Sequence, residues 1–268
     1  MDVTLTAAVL SALFVSSHIG LAAAPLRARL VSRLGEWGFL ACYFAVAAVT
    51  FSAATIYCAD HLHDGAPALA LGQFEAVRIA LVVVLTIAVM LMVASFSSYG
   101  RSPYSLGRRG SPPEPTGLER VTRHPFFAGM TLFGAAHALL ATHAVGAIYM
   151  LALATLAAVG SQHQDRKLAR VRGPHFARYV AATSTVPFAA ILAGRQRLVP
   201  GELPWGALAA GLVVAVLLRQ VHEDIFAHRG AWIVVGTVGG ALSISVTTWI
   251  RDRRRRAERF HAEARRST

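Results

Sequence analysis

Charge is scarce in this chain, and cysteine is scarcer. Only 15% of its 268 residues are Asp, Glu, Lys or Arg, against about 25% in an ordinary soluble domain, so polar surface is too sparse to coat a soluble globule. Two cysteines, Cys42 and Cys58, exclude a disulfide scaffold and a Cys-x-x-Cys metal site. They stand sixteen residues apart in one apolar run and read as packing residues. Acidic residues number 14 against 26 basic ones. Such an excess ordinarily raises nucleic acid as a partner, but here the basic residues lie between apolar runs, where they set topology, and no nucleic-acid partner is expected. No internal repeat, low-complexity linker or second soluble domain is legible. No positive stretch precedes the first apolar run, which is therefore expected to stay as a span and not to be cleaved as a signal peptide.

What the chain has is hydrocarbon: 55% hydrophobic residues and a mean hydropathy of +0.51. Runs of roughly 20 apolar residues, enough to cross about 30 Å of bilayer, fall at Val3–Ala24, Trp37–Ala59, Ala76–Phe96, Phe126–Thr142, Ala144–Gly160, Leu203–Leu218 and Ala231–Ile250. The fourth and fifth are separated by little more than His143 and so form a tight helical hairpin. The expected fold is an all-α polytopic bundle of about seven spans. Lys and Arg test it independently of hydropathy. Twenty-three of the 26 lie in the connections after spans one, three and five and in the C-terminal tail, leaving Arg78, Arg219 and Arg229 on the other side. The N-terminus is therefore expected outside and the C-terminus in the cytoplasm, in a bacterial inner membrane. Residues 1–197 read as one five-span membrane domain, 198–250 as two additional helices, and 251–268 as a polybasic tail suited to anionic lipid headgroups.

Only two of the eleven histidines fall inside apolar spans: His18 in the first and His137 in the fourth. An ionisable group in hydrocarbon is a functional candidate by default. At a rise of 1.5 Å per residue, His18 stands roughly 9 Å and His137 roughly 16 Å above the cytoplasmic ends of their helices, within reach of one flat cofactor. Gly20 and Ala22–Ala24 beside His18, and Gly134, Ala138 and Ala141 beside His137, leave room for it, although small residues also let helices approach closely. The spacing leaves three readings open: an interhelical hydrogen bond, a proton relay, and a metal or haem site. Haem suits the pair better than zinc, since two axial ligands suffice and no carboxylate lies in mid-span to complete a tetrahedron. Arg27, Arg29 and Arg123 at the cytoplasmic mouth could then meet its propionates.

Three stretches resemble the NnrU family of bacterial membrane proteins: Ser17–Glu36, Arg123–Leu140 with its Arg-His-Pro turn, and Gly160–Arg195 with Thr183-Ser184 and Pro187-Phe188. The family is named for a role in nitrite and nitric oxide reductase expression. Its plant and cyanobacterial relatives, the zeta-carotene isomerases, carry haem b on histidine. The resemblance implies His18 and His137 as axial ligands of haem b, with Arg27, Arg29, Arg123 and His124 lining the cofactor. It implies a role in nitrogen-oxide metabolism or in carotenoid cis–trans isomerisation, with an apolar polyene or a respiratory reductase subunit as partner. The isomerases carry a cysteine three residues before the second histidine, where this chain has Gly134.

A different chemistry competes. Arg123–Gly129 is similar to the RHPxYxG turn of the isoprenylcysteine carboxyl methyltransferases and phospholipid methyltransferases, and Gln164-Asp165, Leu168, Gly173 and Tyr179 echo their cofactor segment. In that reading His124 and Asp165 hold S-adenosylmethionine. The paired glutamates of that family are replaced by Gln164-Asp165, and Phe127 stands where it has tyrosine. Without a cofactor, Pro125 at a helix start and a snorkelling Arg123 explain the same turn. A non-catalytic assembly factor in the membrane is the third class.

Overall fold

The computed structural model describes residues 2–105 and 112–222, and beyond them only Gly236. The seventh run, the polybasic tail, Arg108 and Arg109 lie outside the described residues. The helices below all belong to the unit Met1–Glu223.

Helix α1, Val3–Ala22, starts where the Asp2 carboxylate accepts the Thr4 N–H at 3.0 Å, which satisfies one of the orphan donors of a helix start. Extended Ala23 ends it, and Pro25 opens α2, Ala24–Asp60. The long α2 is two helices joined at Gly35, whose φ of 71° is a conformation that glycine alone adopts freely. The segment before it carries Arg27, Arg29 and Arg33; the segment after it is the second apolar run. Helix α3, Glu75–Ser98, is followed by the short α4, Leu118–Val121. Helix α5, Pro125–Leu140, and α6, Ala144–Ala182, make the expected hairpin. The short α7, Ala189–Leu192, precedes α8, Trp205–Gln220.

Helices α1, α2, α3 and α6 are long and apolar enough to cross a membrane, while α5 and α8, at 16 residues each, are shorter apolar helices. The expected fifth span stops at Gly160, but α6 runs on as helix to Ala182, turning at Gly173-Pro174. Residues such as Val49, Ile79 and Val83 face outward, in keeping with a lipid environment. The protein is an all-helical integral membrane protein.

Packing runs in a row: α2 against α1, α1 against α6, α6 against α5, α5 against α3, and α3 against α8. At one end of the bundle, Ala66 ties three elements together, its N–H donating to Thr4 Oγ1 (3.2 Å) and its carbonyl accepting from Ala144 N–H (2.8 Å). The opposite end carries most of the arginines. Between them, Ala7, Ala54, Cys58, Val145 and Tyr149 form a core cluster, whose buried tyrosine shares a 2.7 Å hydrogen bond with Thr55. Cys58 packs as expected, whereas Cys42 is exposed.

Glycines set the closest approaches. A Cβ on Gly134 would stand 2.5 Å from the Met150 carbonyl oxygen and 2.9 Å from Ala154 N. The small residues beside His137 thus serve α5–α6 contact and leave no cavity at Gly134, which corrects the expectation of room there. Beside His18 the expectation holds, since a Cβ on Gly20 would meet nothing within 4 Å. Overpacking a tight contact costs about 1–3 kcal/mol, so Gly134→Val is expected to lower the thermal unfolding midpoint in detergent, and Gly20→Ala is not. Equal midpoints for the two variants would contradict this packing.

Candidate functional site

His18 lies on α1 with its ring centre 5.8 Å from that of Phe14 and 5.0 Å from that of Tyr43 on α2. Its Nδ1 is buried and has no hydrogen-bond partner among the described residues. A buried polar atom left unpaired costs about 1–3 kcal/mol. His137 sits in the last turn of α5, where Nδ1 lies 3.0 Å from the Phe133 carbonyl oxygen. A carbonyl only accepts, so the proton is on Nδ1, and Nε2 keeps its lone pair. Metal-binding histidines are oriented by this same bond to a carbonyl. The ring lies 4.2 Å from Phe133 and 6.0 Å from His222, just past α8, with an interplanar angle of 16° to the latter.

The structure does not bring His18 and His137 together. Thr4 and Ala144 share one level of the bundle through Ala66. His18 is fourteen residues along α1 from Thr4, about 21 Å away, while His137 is three residues from the end of α5 at Leu140, about 5 Å away. The rings therefore differ in depth by on the order of 15 Å, whereas two nitrogens on one metal lie about 4 Å apart. Their helices are also out of line, since α1 packs on α2 and α6 while α5 packs on α3 and α6. His18 and His137 thus stand at different levels of the bundle, on helices that each pack against α6.

The expected propionate partners are also engaged elsewhere or dispersed. Arg27 stacks over Phe39 at 5.2 Å and pairs with Glu36 at 3.7 Å, beside the Gly35 bend. Arg29 is exposed. Arg123 and His124 belong to a polar cluster at the arginine-rich end. Arg123 donates from Nε and Nη2 to Asp165 Oδ2 at 2.9 and 2.8 Å, and from Nη1 to the Thr183 carbonyl at 3.2 Å. Asp165 Oδ1 accepts from His124 Nε2 at 2.9 Å and from the Tyr104 hydroxyl at 2.5 Å. Four donors saturate this carboxylate. The backbone closes around it, with Arg123 N–H on Ser184 O and Phe188 N–H on Val121 O, each 2.8 Å. Arg120 grips Glu202 through Nε and Nη2 at 2.8 and 3.1 Å, joining the segment before α5 to the turn before α8.

Burial is the largest influence on His124 and holds its pKa below the ordinary value, against the upward pull of Asp165. The imidazole is therefore neutral at pH 7 and donates its Nε2–H to the carboxylate. Burial also acts to raise Asp165, but the bonds from His124, Arg123 and Tyr104 outweigh it and hold the carboxyl at about 2. Burial first, then the adjacent carboxylate, pushes Tyr104 up, so the phenol remains a donor. Nearby, burial raises the pKa of Glu119, against the downward pull of bonds from Ser102, Thr116 and Tyr179.

Both His124 and Asp165 make the folded state bind fewer protons than the unfolded chain, so acid weakens the fold. The His124 contribution begins to fade as pH falls below about 6.5. The Asp165 contribution, present above 3.8 and lost as pH falls towards about 2, is worth about 2 kcal/mol. In detergent melts, wild type minus Asp165→Asn is expected to shrink between pH 4 and about 2. A difference that stays constant over that range contradicts the assignment.

The sequence motifs pointed to Arg123, His124 and Asp165, but they missed Tyr104, which arrives from the proline-rich connection, and Glu202, which carries no motif. For the methyltransferase reading, the two residues it names, His124 and Asp165, are hydrogen-bonded to each other at 2.9 Å. Among the described residues, no group of three or more His, Cys, Asp or Glu side chains could hold a metal ion.

Comparison with known proteins adds a lineage to this geometry. Residues 5–229 match the family model described as NnrU protein. The chain is 29% identical over 195 residues to a protein of Arabidopsis thaliana named 15-cis-zeta-carotene isomerase, chloroplastic, covering 69% of this chain and 50% of the relative. It is 36% identical over 83 residues to the protein of that name in Zea mays, covering 31% and 23%. The chain thus matches half or less of the length of each relative. No solved structure matches.

Proposed function

This chain belongs to the NnrU family, and on that premise we propose that it is a membrane-embedded cis–trans isomerase of an extended apolar polyene, using haem b held by His137. The reading places it in a bacterial inner membrane with the arginine-rich end in the cytoplasm. Its substrate class is that named for the plant relatives, a cis-configured carotenoid. One observation carries the proposal: in an otherwise apolar helix, His137 spends its Nδ1 proton on Phe133 and keeps a free nitrogen lone pair that the fold has oriented. When bound, haem would supply a redox-active iron able to interact with a double bond.

The polypeptide supplies the rest. His137 would hold the iron from a fixed position on α5. On another face of α5, a groove of about 600 Å³ is lined by Ala135 and Ala138 of α5, Ala147 and Leu151 of α6, and Pro67 and Leu69. Such a wall binds hydrocarbon, orients a long chain by shape alone and excludes water. No charged side chain lines it, so nothing there would recognise a polar substrate.

The test is direct. Protein reconstituted with haem in liposomes holding 15-cis-zeta-carotene, reduced under anaerobic conditions, is expected to convert the pigment to its trans isomer by chromatography. Haem-loaded protein that leaves the isomer ratio unchanged would falsify the isomerase reading. Saturable S-adenosylmethionine binding lost in His124→Ala would replace it with methyl transfer.

A further inference from the structure

The connection between α6 and α8 has too few apolar residues in a row to cross a bilayer, yet its backbone is firmly held. Thr183 and Ala190 are buried. Ser184 O accepts the Arg123 N–H, Thr185 O accepts from Thr122 Oγ1, and the Phe188 N–H donates to Val121 O, each at 2.8 Å. Arg195 folds back and donates from Nη1 to the Ala181 and Thr183 carbonyls at 2.6 and 3.0 Å.

Pinned in this way, the segment turns apolar side chains outward. Leu192 is 87% exposed, Val186 62% and Phe188 48%. Phe188 has a φ of 64°, a left-handed conformation that costs phenylalanine more than glycine or asparagine. Nothing in the backbone therefore selects an aromatic ring where α7 begins, and the ring must serve what lies outside. Apolar side chains clustered on a held surface mark an interaction face.

The level of the segment identifies what it meets. The Arg123 guanidinium is bonded to Asp165, and Asp165 is twenty-one residues along α6 from Ala144 at the opposite end of the bundle. That is about 31 Å, close to the roughly 30 Å of bilayer hydrocarbon. Arg123 and the segment bonded to it therefore stand where hydrocarbon gives way to headgroups. Phe126, at the start of α5, lies 6.1 Å from Phe96 of α3, and both are exposed, which places aromatic rings at the same boundary. Arg195 and the exposed Arg197 follow Leu192. Apolar side chains with arginines beside them fit a surface that is oily below and anionic above.

We propose that residues 186–197 form an interfacial anchor: Val186, Phe188 and Leu192 enter the acyl chains of the leaflet at the arginine-rich end, and Arg195 and Arg197 meet its phosphates. The anchor requires neither haem nor isomerase activity. It sets the depth of the polar cluster, because Ser184 and Thr183 bond directly to Arg123.

The full chain with Cys42→Ala and Cys58→Ala, carrying a nitroxide on Leu192→Cys and reconstituted in liposomes of phosphatidylethanolamine and phosphatidylglycerol, provides the test. Power saturation in electron paramagnetic resonance compares collisions with oxygen, which concentrates in hydrocarbon, and with a water-soluble nickel chelate. Oxygen is expected to prevail several-fold and to place the label about 5–10 Å into the headgroup–acyl boundary. A label on Arg170→Cys, exposed and five residues past Asp165 on α6, is expected to favour the chelate. A melting curve checks that each variant is folded, and Val186→Cys repeats the measurement at a second exposed position. Labels at both positions that collide mainly with the chelate would put the segment in water. Labels shielded from both reagents would put it under protein, whether the rest of this chain or a second copy. Either result overturns the anchor.

Discussion

Replacing His137 by alanine is expected to remove nearly all Soret absorbance from the purified protein. The imidazole is held by the Phe133 carbonyl at 3.0 Å and by the Phe133 ring at 4.2 Å, so its free nitrogen is positioned before any ligand arrives. A pre-oriented ligand binds without the cost of ordering a mobile side chain. Orienting bonds of this kind are themselves worth about 10–100-fold in metal affinity, and loss of the ligand costs more than loss of its orientation. Of its two ring neighbours, Phe133 offers no donor atom and His222 stands 6.0 Å away, outside α5. Haem retained at wild-type stoichiometry in His137→Ala would show that the iron is held elsewhere. The fold should survive, because the side chain is only half-buried and makes no hydrogen bond outside its own helix among the described contacts.

Asp165→Ala is expected to do the reverse, damaging the fold more than any ligand spectrum. Arg123 and His124 have side chains 11% and 2% exposed, and Asp165 is the acid that both of them meet. Removing one partner of a buried ion pair costs about 3–5 kcal/mol, because the remaining charge is left buried and unpaired. The same change frees the Tyr104 hydroxyl, which donates to Asp165 Oδ1, and loosens the segment that holds Thr183. Denaturant titration in mixed micelles, followed by circular dichroism, reads the loss. Asp165→Asn keeps an acceptor oxygen and should fall between wild type and Asp165→Ala. Wild-type stability in Asp165→Ala would mean that the cluster is an ornament of the headgroup layer.

The pattern of apolar runs was enough to place α1, α3, α5 and α8 to within about two residues, because a span must satisfy a length set by the bilayer. It was not enough for α6. Past Gly160 the helix carries Asp165, Arg166, Lys167 and Arg170, and hydropathy marks where a helix leaves hydrocarbon, not where it stops. The difference in level between His18 and His137 was not legible for another reason. Residue counting gives height along one helix, but which helices are neighbours depends on side-chain fit, such as that of Gly134 against Met150 and Ala154. The ring contact between His137 and His222 was not legible because His222 lies beyond the last residue of α8. Arg123 was read as a propionate partner because its charge was visible and its distance in sequence from Asp165, 42 residues, concealed their contact.

The absorption spectrum of the folded full-length protein, purified after expression with ample haem, bears most directly on the claim that His137 presents its free nitrogen to an iron porphyrin. A Soret band that shifts on reduction with dithionite is the result that this structure leads us to expect. A colourless preparation with a wild-type melting curve would contradict it.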